Sequence, residues 1–240
     1  MAMNKSGWKL TWVAAIALLA GATAPVRAVE PQAMHTIILV RHGQYDYVPN
    51  GDERTGMGLS ALGVAQARLA GARLAGWPDH IDGLHVSPLR RARETAAAIG
   101  ESLPAGDHFG IDEDLAECTP PTRRTEVTAK EKPADLAACK AQLDRLFARY
   151  FTPAADGKPR TDLLVCHGNV IRSLVTRALG VDPQAWLEMS VGHASLTVIR
   201  VEADGRMKVI SAGDVGHIPP NLLTGSTGDP ERTLAAPALP

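Results

Sequence analysis

The chain has 240 residues, 45% of them hydrophobic and 21% charged, with a formal net charge of −1 at neutral pH. That length holds one good core or at most two small domains, and the composition is that of an ordinary soluble globular protein. So small a net charge excludes a general nucleic-acid binder, whose domain is usually clearly basic, and any anion site must be a local cluster of cations.

In chain order, Lys5 and Lys9 precede an apolar run from Leu10 to Ala20, and small residues follow as far as Val26-Arg27-Ala28. A basic start, a short apolar stretch and a small-residue cut site describe an export signal over residues 1–28. An uncleaved membrane anchor is the alternative, although the run is shorter than the roughly 20 residues that span a bilayer comfortably. Either way the folded part, from Val29 onward, is expected outside the cytoplasm: periplasmic, secreted, or held at a membrane.

Thr36-Ile37-Ile38-Leu39-Val40 is a continuous apolar or β-branched run that reads as a buried strand and leads into Arg41-His42-Gly43. Gln44 to Gly58 is polar and glycine-rich, a loop with Asn50-Gly51 as its turn signal. Ser60 reads as the N-cap of a helix that ends near Gly76. Gly83 to Ser87 is a short strand, and Pro88 is expected to open a second helix, since proline suits a first turn. Phe109 to Thr128 reads as irregular. Leu136, Cys139, Leu143, Leu146, Phe147 and Tyr150 then recur at helical spacing in a long helix from Pro133.

Leu163-Leu164-Val165-Cys166 is a second apolar strand, and it too ends in His-Gly, at His167-Gly168. A helix from Asn169 to Leu179, a short one over Pro183 to Met189, and a hairpin of Leu196–Val201 with Met207–Ile210 complete the pattern. Beyond Pro219 the chain is rich in Pro, Gly and Thr and reads as an extended or disordered tail. Strands alternating with helices predict one α/β domain with helices on both faces of a sheet. Three scattered cysteines suit neither a disulfide scaffold nor a zinc site; Cys118 and Cys139 could pair in an oxidising compartment, while Cys166 reads as a buried thiol.

Two strands ending in His-Gly could bring two imidazoles to one sheet edge, where open α/β sheets place their ligands. A phosphomonoester needs a nucleophile for phosphorus, cations for its charge and an acid for the leaving oxygen. Neutral imidazole at His42 can attack in line, and Arg41 and Arg91 would disfavour its cationic form. Each arginine can fork onto two phosphate oxygens. His167 would serve best protonated, as a donor to the phosphoryl group.

Arg41-His42-Gly43, Leu59-Ser60-x-x-Gly63-x-x-Gln66-Ala67, Ser87-Pro88-Leu89-x-Arg91-Ala92-x-x-Thr95-Ala96 and His167-Gly168-x-Val170-Ile171-Arg172 occur in this order. Together they resemble the histidine phosphatase superfamily, in the branch that includes the phosphoglycerate mutases, from His35 to about Pro220. Asn169, Trp186-Leu187 and Gly213-Asp214-x-Gly216-x-x-Pro219-Pro220 are similar to the mitochondrial mutase-like serine/threonine protein phosphatases.

The resemblance implies a phosphatase domain over residues 29–222, followed by the tail at 223–240. It also implies a three-layer sandwich with a mixed, mostly parallel sheet, a homodimer, and hydrolysis of a phosphorylated small molecule or phosphoprotein through phosphohistidine at His42. Arg41, Arg91 and His167 map onto family positions. The acid maps onto Glu117 in Asp114-Leu115-Ala116-Glu117, with Glu113 and Asp114 as alternatives, because the usual Gly-x-Trp-Glu-Gly continuation is replaced by Cys118-Thr119-Pro120-Pro121.

Asn169 could offer donors to phosphate, and His193 could border the pocket. The remaining histidines show no ligand spacing, so neither metal nor cofactor is expected. Two competing readings remain: a phosphoglycerate mutase, whose longer substrate-loop pattern is absent between Gln44 and Gly58, and a pseudo-phosphatase that only binds anionic partners.

Overall fold

In the computed structural model, residues 33–225 apart from 53, 105–107 and 156 are described. The amino-terminal segment read as a signal or anchor lies outside them, as do residues 226–240.

The first apolar run forms β1 (His35–Arg41) at the middle of a six-stranded sheet. Its partners are β4 (Arg160–Cys166), which is parallel, and β5 (Leu196–Val201), which is antiparallel. β2 (Gly83–Val86) and β3 (Gly110–Ile111) extend the parallel side, and β6 (Met207–Asp214) closes the other edge, in the order β3-β2-β4-β1-β5-β6. The sheet is therefore mixed and mostly parallel.

Alternation along the strands divides the core in two, because successive side chains point to opposite faces. Ile37, Leu39, Leu164 and Cys166 meet α4 (Pro133–Tyr150) and α5 (Gly168–Ala178) through Leu143, Leu146, Val170, Ile171 and Leu174. Ile38, Val40, Leu163 and Val165 meet α1 (Ala61–Ala75) and α2 (Arg90–Gly100) through Ala70, Leu74, Ala92, Ala96 and Ile99. Burial on both faces is why β1 and β4 read as unbroken apolar runs and not as alternating ones. This is the three-layer sandwich that the family resemblance implied.

Several boundaries differ from the sequence reading. α2 begins at Arg90, with Leu89 as its N-cap, so Pro88 stands just before the helix. The stretch from Phe109 to Thr128 is not wholly irregular. It contains β3, a 3-10 turn over Glu113–Leu115, and a single helical turn, α3 (Thr125–Thr128). β4 starts three residues before the apolar run, at Arg160, and β6 runs on to Asp214. Within the expected tail, Leu223 to Gly225 are laid against the sheet's carboxyl edge, and the Thr224 side chain is buried.

Glycine is needed where the loop after β1 meets α1. A Cβ on Gly63 would stand 1.8 Å from the Gln44 carbonyl oxygen, and one on Gly43 would stand 2.5 Å from that of Gly63. The two chain segments touch backbone to backbone, which explains the glycine in each motif.

Candidate active site

The parallel register pairs Arg41 with Cys166, and the His42 backbone N–H donates to the Cys166 carbonyl at 2.9 Å. β1 and β4 thus end level with each other, and the next residue of each is a histidine. The His42 and His167 rings lie 5.0 Å apart, centroid to centroid, both buried.

α2 brings Arg91 to the same place, its Nε donating to His42 Nε2 at 3.3 Å. Thr95, one turn on, accepts the Gly43 N–H at 3.0 Å and donates to the Arg91 carbonyl at 2.7 Å. This hydroxyl ties the helix to the loop beside His42.

His42 Nδ1 lies 2.8 Å from the Gly43 carbonyl. A carbonyl only accepts, so Nδ1 carries the proton and Nε2 presents the lone pair. Burial, followed by His167, Arg41, Arg91 and His193, holds the imidazole well below its usual range, so it is neutral at physiological pH.

His167 departs from the sequence reading. Burial, reinforced by Arg91 and Arg41, holds it well below its usual range, so it is neutral and not the protonated donor expected. Ser87 Oγ accepts from the Leu89 N–H at 3.2 Å and lies 2.7 Å from His167 Nε2. Among the described residues the Ser87 hydroxyl has no other acceptor for its own proton, so that proton goes to Nε2. The His167 proton then sits on Nδ1, which is buried and meets no protein acceptor.

Arg41 lies on the opposite side. Its Nη1 donates to the Val191 carbonyl at 2.6 Å and its Nη2 to His193 Nε2 at 3.0 Å. Burial pulls the guanidinium down to about 10, which leaves it cationic. Both terminal nitrogens are thus anchored by the protein, which fixes where Arg41 brings its charge.

His193 borders the pocket, 5.5 Å from the His42 ring. Since Nε2 accepts from Arg41, Nδ1 donates to Thr224 Oγ1 at 2.8 Å. Gln66 reaches the same hydroxyl at 2.9 Å and the Leu222 carbonyl at 2.7 Å, and its Oε1 receives the Gln44 N–H. This relay is the reason residues 222–224 lie against the site. A tail composition gave no signal for Thr224.

Glu117 is the acidic residue brought to the cluster. Burial pushes its carboxyl up to about 7, against the opposing pull of Arg41, Arg91 and Arg172. Its Oε1 is closed to solvent and has no protein donor. Both alternatives are occupied elsewhere: Glu113 is exposed and paired with Arg54, while Asp114 is bound by Arg145 and Arg149.

Asn169 is placed differently from the expectation. Its Oδ1 accepts from Arg172 Nη2 at 2.6 Å and its Nδ2 donates to the Cys118 carbonyl at 3.2 Å, while its backbone N–H serves Glu117. The side chain thus ties Arg172 to the loop that carries Glu117. Arg172, stacked over Trp186 at 5.0 Å, supports it.

Tyr45 was missed. Its ring stands edge-on 5.3 Å from His42 and beneath the Arg91 guanidinium, at 5.0 Å. An aromatic two residues beyond His-Gly is the only signal it offered.

The sequence profile of the histidine phosphatase superfamily, branch 1, matches residues 37–212. The chain belongs to that superfamily. It is 35% identical over 196 residues to the mitochondrial serine/threonine-protein phosphatase Pgam5 of Caenorhabditis elegans, covering 80% of this chain and 67% of that protein. To the human counterpart it is 31% identical over 200 residues, covering 81% and 68%.

Among solved structures it is similar to phosphoglycerate mutase from Plasmodium falciparum, with a TM-score of 0.54 and 25% identity over 78% of this chain and 96% of that one. Phosphoserine phosphatase from Entamoeba histolytica shares the fold, with a TM-score of 0.58 and 20% identity over 77% and 100%. The chain is a phosphatase of the histidine type.

The curated relatives overturn one expectation. They are mitochondrial proteins, so the reading of this chain as periplasmic, secreted or anchored after export does not stand. The cause lies in the signal used: a basic start and an apolar stretch are common to several kinds of targeting segment, and composition does not name the destination. Among the described residues no helix is long and apolar enough to cross a membrane.

The acid predicts a pH profile. The kcat/KM for an alkyl phosphate is expected to be level below neutrality and to fall as pH rises through about 7, where Glu117 loses its proton. With His42 already neutral, its titration adds no acid limb near pH 6. Steady-state rates from pH 5 to 9, corrected for ionisation of the substrate, check this, and Glu117→Gln should remove the fall.

Proposed function

We propose that the chain hydrolyses phosphoserine or phosphothreonine in protein substrates through a phosphohistidine on His42. The observation that carries the mechanism is the pairing of a neutral Nε2 base, fixed by the Gly43 carbonyl, with a buried carboxyl pushed up to about 7, both under the field of Arg41 and Arg91.

His42 Nε2 attacks phosphorus as the P–O bond to the leaving group breaks, and Glu117 gives that oxygen its proton. Arg91, at 3.3 Å from the nucleophile, holds the phosphoryl oxygens with its fork. Arg41 offsets their charge, and the His167 Nδ1–H donates to one of them. The Glu117 carboxylate then takes a proton from water as its oxygen attacks phosphorus. The N–P bond breaks, releasing inorganic phosphate and restoring both groups.

The phosphoprotein assignment is supported by curated relatives named as serine/threonine-protein phosphatases at 31–35% identity. It is supported also by the loop after β1, which exposes Tyr47 and Val48, an apolar surface that suits an extended peptide better than a small sugar acid. Kinetics on a phosphoserine peptide, a phosphothreonine peptide and 3-phosphoglycerate test it. The expected result is peptide hydrolysis at a kcat/KM at least tenfold above that on 3-phosphoglycerate, a gap of about 1.4 kcal/mol. Interconversion of phosphoglycerates faster than peptide hydrolysis would overturn it in favour of a mutase.

A further inference from the structure

α4 turns a polar face to the segment that carries Glu117. Gln142 Nε2 donates to the carbonyls of Asp114, at 3.0 Å, and Ala116, at 2.8 Å. Arg145 Nη2 binds Asp114 at 2.6 Å, Arg149 binds Asp112 and Asp114, and the Tyr150 hydroxyl donates to Asp112 at 2.9 Å. One turn before Gln142, Cys139 is joined by a disulfide to Cys118, the residue after Glu117.

From the other side, Asn169 at the start of α5 holds the Cys118 carbonyl. Glu117 therefore stands between two neighbours that are fixed from outside: Ala116 by Gln142, and Cys118 by Asn169 and the disulfide. The nucleophile and its cation are held differently. His42 and His167 are placed by paired strands, and Arg91 by α2 and Thr95.

We propose that Gln142 and the Cys118–Cys139 disulfide are the positioning elements of the general acid, so that the redox state of this cysteine pair sets the rates of the steps in which Glu117 moves a proton. This rests on the reading of Glu117 as the acid. A dithiol supplies the reduction. Its thiolate attacks Cys118 Sγ and expels the Cys139 thiolate, which takes up a proton. Its second thiol then closes on the mixed disulfide, leaving both cysteines as thiols and the dithiol as a cyclic disulfide. Cys118 is the less buried of the pair and the point of entry. Cys166 takes no part: it is fully buried, and burial pushes its thiol well up.

Leaving groups separate this role from a structural one. A serine alkoxide needs a proton to leave, whereas p-nitrophenolate leaves unaided. The experiment measures kcat/KM of the full chain on a phosphoserine peptide and on p-nitrophenyl phosphate, with and without dithiothreitol. The same measurements are made on Gln142→Leu, Glu117→Gln and the double variant Cys118→Ser, Cys139→Ser.

Reduced wild type, the double variant and Gln142→Leu are each expected to lose about tenfold on the peptide and to stay within about twofold on the aryl phosphate, part of the roughly 10²–10⁴-fold that a general acid contributes. The double variant should not respond to dithiothreitol. Equal losses on both substrates, or none on either, would overturn the positioning role while Glu117→Gln keeps its selective loss. A Glu117→Gln variant without that selectivity would instead remove Glu117 as the acid and the proposal with it.

Discussion

His42→Ala is expected to lose at least about 10⁴-fold in kcat/KM on every phosphomonoester, the scale seen when a covalent nucleophile is removed. No neighbour can take its place. His167 Nε2 accepts from Ser87, and both nitrogens of His193 are engaged by Arg41 and Thr224. The Cys166 thiol is buried in the strand below. Since His42 is itself buried, alanine leaves a small cavity, so His42→Asn serves as a second variant of closer size. Both should fold, by circular dichroism and thermal melting, and both should be inactive. Activity retained in either folded variant would end the phosphohistidine mechanism.

Arg91→Ala is the second large effect, expected at about 10³-fold in kcat/KM, in the range measured for a cation that meets a transferring phosphoryl group. The residue is 4% exposed, its Nε lies 3.3 Å from the nucleophilic nitrogen, and its guanidinium stacks on Tyr45. Arg91→Lys returns the charge but neither the fork nor the stacking, and should recover no more than about tenfold of the loss.

A pH effect accompanies it. Arg91 is one of the charges that hold His42 below its usual range, after burial, His167 and Arg41. Removing it lets that value rise, so any acid limb of the pH–rate profile should lie at higher pH in the variant than in wild type. An acid limb at lower pH in Arg91→Ala than in wild type would contradict this assignment.

Much of this site was legible because the relevant signals are local. β1 and β4 are buried on both faces, which makes them unbroken apolar runs, and each ends in His-Gly where the chain turns over the sheet edge. Arg91 and Thr95 share a helix face one turn apart, so their motif encodes both the cation and its tether.

What escaped the sequence depends on contacts made at a distance. The charge state of His167 is set by burial and by arginines from two other elements. Thr224 lies in a composition that reads as coil, yet His193 and Gln66 hold it. β3 is only two residues long and takes its form from pairing with β2. Asn169 looked like a phosphate donor because it follows His167-Gly168, whereas Arg172 and the Cys118 carbonyl occupy its amide. The family resemblance already pointed to Glu117 over Glu113 and Asp114; what the sequence did not show is that arginines elsewhere hold those two.

In the proposed mechanism the phosphoryl group passes through His42 Nε2. Rapid mixing with a phosphoserine peptide, quenching under alkaline conditions that preserve phosphohistidine, and peptide mass spectrometry with phosphorus NMR test it most directly. One phosphoryl group is expected on the peptide containing His42, attached at Nε2, forming and decaying within a turnover and absent from His42→Asn. A phosphoryl group on His167 or at His42 Nδ1, or turnover with no phosphoenzyme at any time, would contradict it.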